Sequence, residues 1–369
     1  MEKRGKVLKR IFVTHILPEE EMEKYKVPVA ASNFSFNLIA GGCFDEVYSI
    51  AGTDISGELP QKVFEDERFC LIYNNCLRKQ GGFWVKIAAL IEQVMLFRKI
   101  PKDASVWFYN LTTVSVVVYI LCMLFKKSIK RNVIVLDFTP SEKRISMQNM
   151  MLWLINKANS IIRLSNSNLF TCKNSALLPG VTPKTANTSL IERPNNVFLL
   201  SGVLSENISQ ISLILDVFSE LPNCILHITG FAKEKENLLV DYSNHYDNIV
   251  YHGKVSFSEY KKILQTVTFV LSSRDKRYPE NRCNFPSKII ESLLYNRAVV
   301  STIKYKQIEG INYFEIASDK DTMKKQLKTI VSMPEAELMI YVNQGEEVAK
   351  RFNTDVWNET MKKLETGAR

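Results

Sequence analysis

The stretch Asn284-Phe285-Pro286-Ser287-Lys288-Ile289-Ile290-Glu291-Ser292-Leu293-Leu294, followed by Asn296-Arg297-Ala298-Val299-Val300-Ser301-Thr302, runs from a polar loop into a helix that opens near Ser287 and then into a strand. The connection before that helix, Ser272 to Pro286, is fifteen residues long, against the about two to six usual between a strand and a helix. Long loops at strand C-termini hold ligands in open α/β sheets. From Ser272 through Lys288 there are five cations (Arg274, Lys276, Arg277, Arg282, Lys288) and two anions (Asp275, Glu280), a local charge of +3. A helix N-terminus adds free N–H groups and partial positive charge, so the segment is suited to a phosphate. A solvated basic loop accounts for the charge alone equally well.

Outward from this point, short β-rich runs alternate with helical patterns, the signature of parallel sheets with crossover helices. In the second half the runs are Val197–Leu200, Cys224–Thr229, Asn248–Tyr251, Val267–Leu271, Ala298–Thr302 and Tyr313–Ala317. Helices are expected near Ile208–Ser219, from the capping box Ser256-Phe257-Ser258-Glu259 to Leu264, over Glu335–Val348 and over Thr354–Leu364. In the first half, Val106–Tyr109, a helix over Val114–Lys127 and Val133–Leu136 form a βαβ unit, and a helix over Ser141–Lys157 precedes a strand Ser160–Leu164. The periodicity fails between Asn174 and Asn196, where prolines and small polar residues gather. The expected organisation is two domains, 1–180 and 181–350, with a closing helix in 351–369.

The 369 residues are 46% apolar and 24% charged, which excludes disorder as the main state. Lys and Arg number 48 against 39 Asp and Glu, and the resulting +9 favours anionic partners without choosing among them. Seven scattered cysteines, none in a CxxC pair, fit a reducing cytosol. The longest apolar run, Val116–Phe125, has ten residues, half of the roughly 20 a membrane-spanning helix needs. Phe83–Phe97 and Val116–Phe125, both flanked by cations, could touch a bilayer surface, although core helices are the plainer reading.

The opening stretch resembles the FPSK-x-x-E segment of retaining glycosyltransferases with the GT-B fold, close to family 4. Further matches stand in order over Val197 to Leu364: Leu199-Leu200-Ser201-Gly202, Leu226-His227-Ile228-Thr229-Gly230, Asn248 to Val255, and Phe352-Asn353 to Trp357. The resemblance implies an α/β GT-B chain of two Rossmann-like domains facing across a cleft, with the C-terminal helix packing back on the N-terminal domain. It implies a nucleotide-diphosphate sugar donor, UDP- or GDP-linked, in the second domain. By that resemblance Glu291 holds the ribose hydroxyls, Lys288 faces the diphosphate as a catalytic cation, and Ser287 cradles it. Arg274 and Arg282 add cations, Gly202 lies at the first strand's end, and Lys254 and Val255 grip the base through their backbone. Two departures stand out. The first glutamate of the family's E-x7-E pair falls at Cys283, and no basic residues follow Gly202.

The first domain is expected to bind the acceptor, with His15, Asn110 and Asp137 as polar groups at strand ends; Asn110 and Asp137 are the catalytic candidates there, and helix capping competes for Asp137. Gly41-Gly42 follows a helical pattern and reads as its terminator. Asp319-Lys320-Asp321 is a formal DxD, but Ser318 before it makes helix capping the better account, and no metal site is expected. Zinc, hydrolase-elbow and P-loop spacings do not occur. By resemblance, the activity is bacterial capsule, O-antigen or exopolysaccharide synthesis on a lipid-linked saccharide, in the cytoplasm and peripheral on the inner face of the plasma membrane. The basic N-terminus (Lys3, Arg4, Lys6, Lys9, Arg10) accords with such a surface. A catalytically silent GT-B scaffold and a nucleotide-sugar epimerase are the alternatives; nucleic acid comes last.

Overall fold

The computed structural model describes residues 8–25, 29–60, 64, 66–143, 145–186, 194–232 and 234–367. Most of the basic N-terminus lies outside them. The chain divides into two compact units, Met1–Val181 with Asn353–Arg369, and Thr182–Phe352.

The first unit is built on a seven-stranded sheet: β1 (Lys9–Thr14), β2 (Glu46–Ile50), β3 (Phe69–Ile72), β4 (Ala104–Tyr109), β5 (Lys130–Val135), β6 (Ser160–Arg163) and β7 (Ser175–Leu177). Their order is β3-β2-β1-β4-β5-β6-β7, and every pairing is parallel. β4 is buried at all six positions, as a strand covered on both faces must be. The chain reverses direction of travel across the sheet between β1 and β4, so the residues after those strands, His15 and Asn110, flank the switch point.

The closing helix, Thr354–Thr366, belongs to this unit. Asn353 caps it by accepting from the N–H groups of Asp355 and Val356. Trp357 is fully buried, meets Phe34 edge-on and donates its indole N–H to the Gly180 carbonyl at 2.8 Å. At the far end Glu365 accepts from Arg10, Ser105 and the Trp107 indole. The contact with helix Val29–Ala40 is so close that a Cβ on Gly41 would lie 2.3 Å from Thr354. Gly42, at φ +70, then ends that helix in the left-handed region, the termination read from the glycine pair. Replacing Trp357 by Phe should cost about 1–2 kcal/mol, because the Gly180 carbonyl is left without its donor; chemical denaturation measures it, and an unchanged midpoint would deny the helix this anchoring role.

The second unit carries a six-stranded sheet: β8 (Val197–Val203), β9 (Ile225–Phe231), β10 (Ile249–Tyr251), β11 (Phe269–Ser272), β12 (Ala298–Ser301) and β13 (Phe314–Glu315). The order β10-β9-β8-β11-β12-β13 is again all parallel, the arrangement of a dinucleotide-binding sheet, with its switch point between β8 and β11.

Several helices differ from their sequence expectation for identifiable reasons. The helix expected from Ile208 to Ser219 is two helices, Glu206–Ser209 and Ile211–Ser219, broken at Gln210. Gln210 has φ +49 and is held there by the Ser273 hydroxyl at 2.8 Å. The Ser141–Lys157 helix begins only at Met147, where Ser146 caps it. Glu335–Val348 is likewise split into Glu335–Val342 and Gly345–Phe352, and the Asn296 side chain accepts from the Gly345 N–H at 2.8 Å. The fifteen-residue connection contains a short helix of its own, Pro279–Cys283. Asp319, rather than Ser318, caps the helix Lys320–Val331, which accounts for the DxD.

Candidate functional site

Beside the switch point of the second sheet, the neighbouring strands β8 and β9 each carry glycine as their second-to-last residue. Gly202 has φ +117 and Gly230 φ +146, and a Cβ on Gly230 would lie 1.9 Å from the Gly202 carbonyl oxygen. No side chain stands at these two positions, where the backbones meet closely, and the exposed Val203 and Phe231 follow them. Gly230→Ala should destabilise the unit by about 1–3 kcal/mol through strain and that collision; an unaltered melting temperature would show that the strand ends can separate freely.

Beside these glycines lies the helix Ser287–Leu294. Its apolar side (Ile289, Ile290, Leu293, Leu294) is buried, which fixes the rotation of the opposite side carrying Lys288 and Glu291. Pro286 is its N-cap and no side chain caps that end. The Ile289 N–H bonds the Pro286 carbonyl at 3.0 Å, which leaves the exposed Ser287 and the N–H groups of Ser287 and Lys288 to face an anion.

Lys288 is half-buried, and its ammonium donates to the Ser201 hydroxyl at 2.8 Å and lies 4.4 Å from the centre of the Tyr260 ring. Among the described residues no carboxylate comes within ion-pair distance of it. Burial pushes its pKa down, opposed by the charge of Glu291. Glu291, one turn later, accepts from the Tyr260 hydroxyl at 3.2 Å. Burial raises its carboxyl above the ordinary range, with Lys288 acting against that. The Tyr260 hydroxyl itself is pushed well up, by burial first and by the Glu291 charge second. Tyr260 is set by the helix Phe257–Thr266, whose Ser256–Glu259 capping box is formed as the sequence indicates. The result is a cation and a carboxylate bridged by one aromatic ring, both desolvated, above a glycine strand end: a Cβ on Gly202 would meet the Lys288 side chain at 3.4 Å.

The basic loop is held rather than loose. Arg274 donates its backbone N–H to the Thr302 hydroxyl, which donates back to the Arg274 carbonyl, at 2.7 and 2.8 Å. Its guanidinium meets Asn281 at 3.4 Å, and the buried Asn281 also donates to the carbonyls of Asp275 and Asn207. Arg277 is spent on Asp275 at 2.7 Å, which holds that carboxyl below its usual range. Arg282 is exposed on the Pro279–Cys283 helix, and Cys283, standing where the first glutamate was sought, is buried. After β10, Gly253 (φ +66) turns the chain, and its carbonyl accepts from the Gly230 N–H and the Thr229 hydroxyl at 3.0 and 2.8 Å. Lys254 beyond it is exposed, and Val255 is half-buried against the cluster of Val197, Leu199 and Leu264. The structure thus brings Gly202, Lys288 and Glu291 together, while Ser287, Arg282 and Lys254 are exposed side chains of the same unit. A pocket of about 640 Å³ in this unit, lined by Asp275, Lys276, Thr302 and Glu315 among others, lies beside β12 and β13 and contains neither Lys288 nor Glu291.

Ser201, Gly230 and Tyr260 were not among the sequence candidates. Ser201 and Gly230 stood inside the quoted runs; Tyr260 lies 31 residues from Glu291, and no spacing joins the two.

In the first unit His15 is half-buried after β1, bonded through Nε2 to the Thr112 hydroxyl at 3.0 Å and set edge-on to Tyr109. Burial pushes its pKa down to about 4, so it is neutral at ordinary pH. Asn110 adopts φ +51, and its side-chain oxygen accepts from the Leu136 N–H at 2.8 Å, tying the ends of β4 and β5. That oxygen is engaged in the fold. Asp137 is exposed just past β5.

The architecture is that of GT-B glycosyltransferases, two Rossmann-like units each on a parallel sheet. Solved structures share it at low identity. The N-terminal domain of Candida albicans trehalose-6-phosphate phosphatase superposes with a TM-score of 0.72 at 11% identity, covering 100% of this chain and 99% of that one. HepE of Anabaena, in complex with UDP, gives 0.67 at 13% identity over 98% and 100% of the two chains. The E. coli trehalose-6-phosphate protein bound with UDP-2-fluoro glucose gives 0.65 at 10% identity over 96% and 99%. No protein-family model matches the chain, and no curated protein matches it in sequence.

Proposed function

We propose that this chain is a retaining hexosyltransferase of family-4-like type, moving a sugar from a nucleotide-diphosphate donor to a saccharide hydroxyl. The observation that carries the reading is the Lys288 ammonium, half-buried without a carboxylate partner, beside an uncapped helix N-terminus and over Gly202. A buried cation lacking a counter-ion is costly unless an anion arrives to neutralise it. A diphosphate fits: its oxygens accept from Lys288 and from the N–H groups of Ser287 and Lys288, with Arg274 and Arg282 adding charge. Glu291, as an ionised carboxylate, accepts two hydrogen bonds from a ribose diol. Ser287 joins the cradle, and the backbone at Lys254 and Val255 receives the base.

In the reaction the bond from the anomeric carbon to the diphosphate oxygen breaks while the acceptor oxygen forms its bond on the same face. The electron pair leaves with the diphosphate, where Lys288 and the helix N–H groups stabilise it, and the acceptor's proton goes to that leaving group. The first unit receives the acceptor, with His15, Asn110 and Asp137 as polar groups at its strand ends. The UDP bound by HepE is a reason to test uridine donors ahead of guanosine ones. The acceptor we propose is a lipid-linked saccharide of bacterial capsule, O-antigen or exopolysaccharide synthesis at the inner face of the plasma membrane. Thermal-shift screening of UDP-, GDP- and CMP-sugars tests the donor reading: one class should raise the melting temperature, and no response to any would favour the silent scaffold, which the cysteine at 283 motivates.

Donor affinity should also depend on pH in a determined direction. Binding needs Glu291 ionised and Lys288 charged. Since the Glu291 pKa is raised, affinity falls early as pH is lowered; since the Lys288 pKa is lowered, it falls early as pH is raised. Calorimetry across pH should trace this bell, and a flat profile while the fold is intact would contradict the two assignments.

A further inference from the structure

We propose that the outer surface formed by the helices Phe83–Lys99, Val116–Phe125 and Met147–Asn156 is a docking face for an anionic lipid bilayer. The three helices lay their buried sides on one core with the first sheet. Phe97 and Phe125 join the first two edge-on, and the Tyr119 hydroxyl donates to the Leu154 carbonyl to join the second and third. Their opposite sides are unusually apolar. On the first helix Phe83, Trp84, Leu90, Ile91 and Met95 are exposed, Phe83 by 71%. On the second, Leu124 and Phe125 are exposed at its end; on the third, Met147, Met150 and Trp153, the last by 54%.

Single exposed apolar residues are ordinary, whereas this many on one helical layer marks an interaction face. Charge selects the occupant. Lys86, Arg98, Lys99, Lys127 and Lys157 are exposed around the apolar side chains and form no ion pair among the described residues. The one acid of the first helix, Glu92, is fully buried against Arg78 and contributes nothing outward. Among the described residues the exposed acids near these helices lie in the adjoining loops, at Asp103, Asp137 and Glu142. Apolar and aromatic side chains ringed by lysine and arginine are complementary to an interface of acyl chains beneath anionic head groups. No helix of the described residues is long and apolar enough to cross a membrane, so the contact lies in the plane of the interface. This deepens the proposed lipid-linked acceptor by naming the surface that meets the membrane, and it rests on that reading for its purpose.

The test is flotation of the full chain with phosphatidylglycerol-containing vesicles and with pure phosphatidylcholine vesicles. The anionic vesicles should capture it, and capture should weaken as salt is raised. The exposed-site variants Trp84→Ser/Met95→Ser/Trp153→Ser and Lys86→Gln/Arg98→Gln/Lys99→Gln should each weaken capture by about tenfold or more, with unchanged melting temperature. Both should keep wild-type donor response in the thermal-shift screen, so loss of membrane binding and loss of donor binding are read apart. Absence of capture, capture equal in wild type and variants, or a wild-type dimer that the apolar variant dissolves would each overturn the proposal, the last by giving the face to a second copy.

Discussion

Lys288→Met should cut donor-dependent turnover by about 10²–10³-fold while leaving the protein as stable as before or more so. The ammonium has a hydroxyl and a ring for partners and no carboxylate, so removing it orphans no opposite charge. Its lowered pKa says that the folded state bears a cost in keeping it charged, and a thioether of similar length over Tyr260 escapes that cost. In the reaction, by contrast, the positive charge faces the oxygen on which negative charge grows. Loss of one such preorganised donor costs about 10²–10³ in rate. Turnover and thermal melting measured on one preparation separate the effects. A variant that turns over normally removes Lys288 from the site, and one that loses activity by unfolding shows its role to be structural.

Glu291→Gln should weaken donor binding by about 10–100-fold, the range expected when a charged acceptor of two hydrogen bonds becomes neutral. The amide keeps the shape of the carboxylate and can still accept from Tyr260, so the helix should hold its place. If Glu291 reads the ribose, the loss is in donor affinity and is shared by the nucleoside diphosphate without its sugar, while the acceptor's KM stays put. Tyr260→Phe removes only the hydroxyl that positions Glu291 and keeps the ring under Lys288, so its effect should be the smaller. Equal affinity in wild type and Glu291→Gln would leave the carboxylate a packing role, and the diol would need another partner.

The alternation of strands and helices, the sheet order's parallel character and the helix at Ser287 were legible because each rests on local pattern: apolar runs, turn residues and a long polar connection. What escaped was set by contacts distant in sequence. Gln210 breaks a continuous helical pattern because Ser273, 63 residues on, holds it in the left-handed region. The break before Gly345 depends likewise on Asn296. Within the site, Lys288 and Glu291 share a helix and were pointed to by the resemblance of the 284–294 stretch to the FPSK-x-x-E segment, but the ring that bridges them comes from a helix before β11, and nothing local announces it. Asn110 was legible as a strand-end residue; its bond to Leu136 arises only once β4 and β5 are paired.

Calorimetric titration of UDP and GDP into the full chain, wild type beside Lys288→Met, tests the central claim most directly, that the uncapped end of the Ser287 helix with Lys288 and Glu291 receives a nucleoside diphosphate. One saturable site for at least one of the two, weakened by a hundredfold or so in the variant, is the predicted result. No binding of either to a demonstrably folded wild type, or binding that the variant leaves intact, would contradict it.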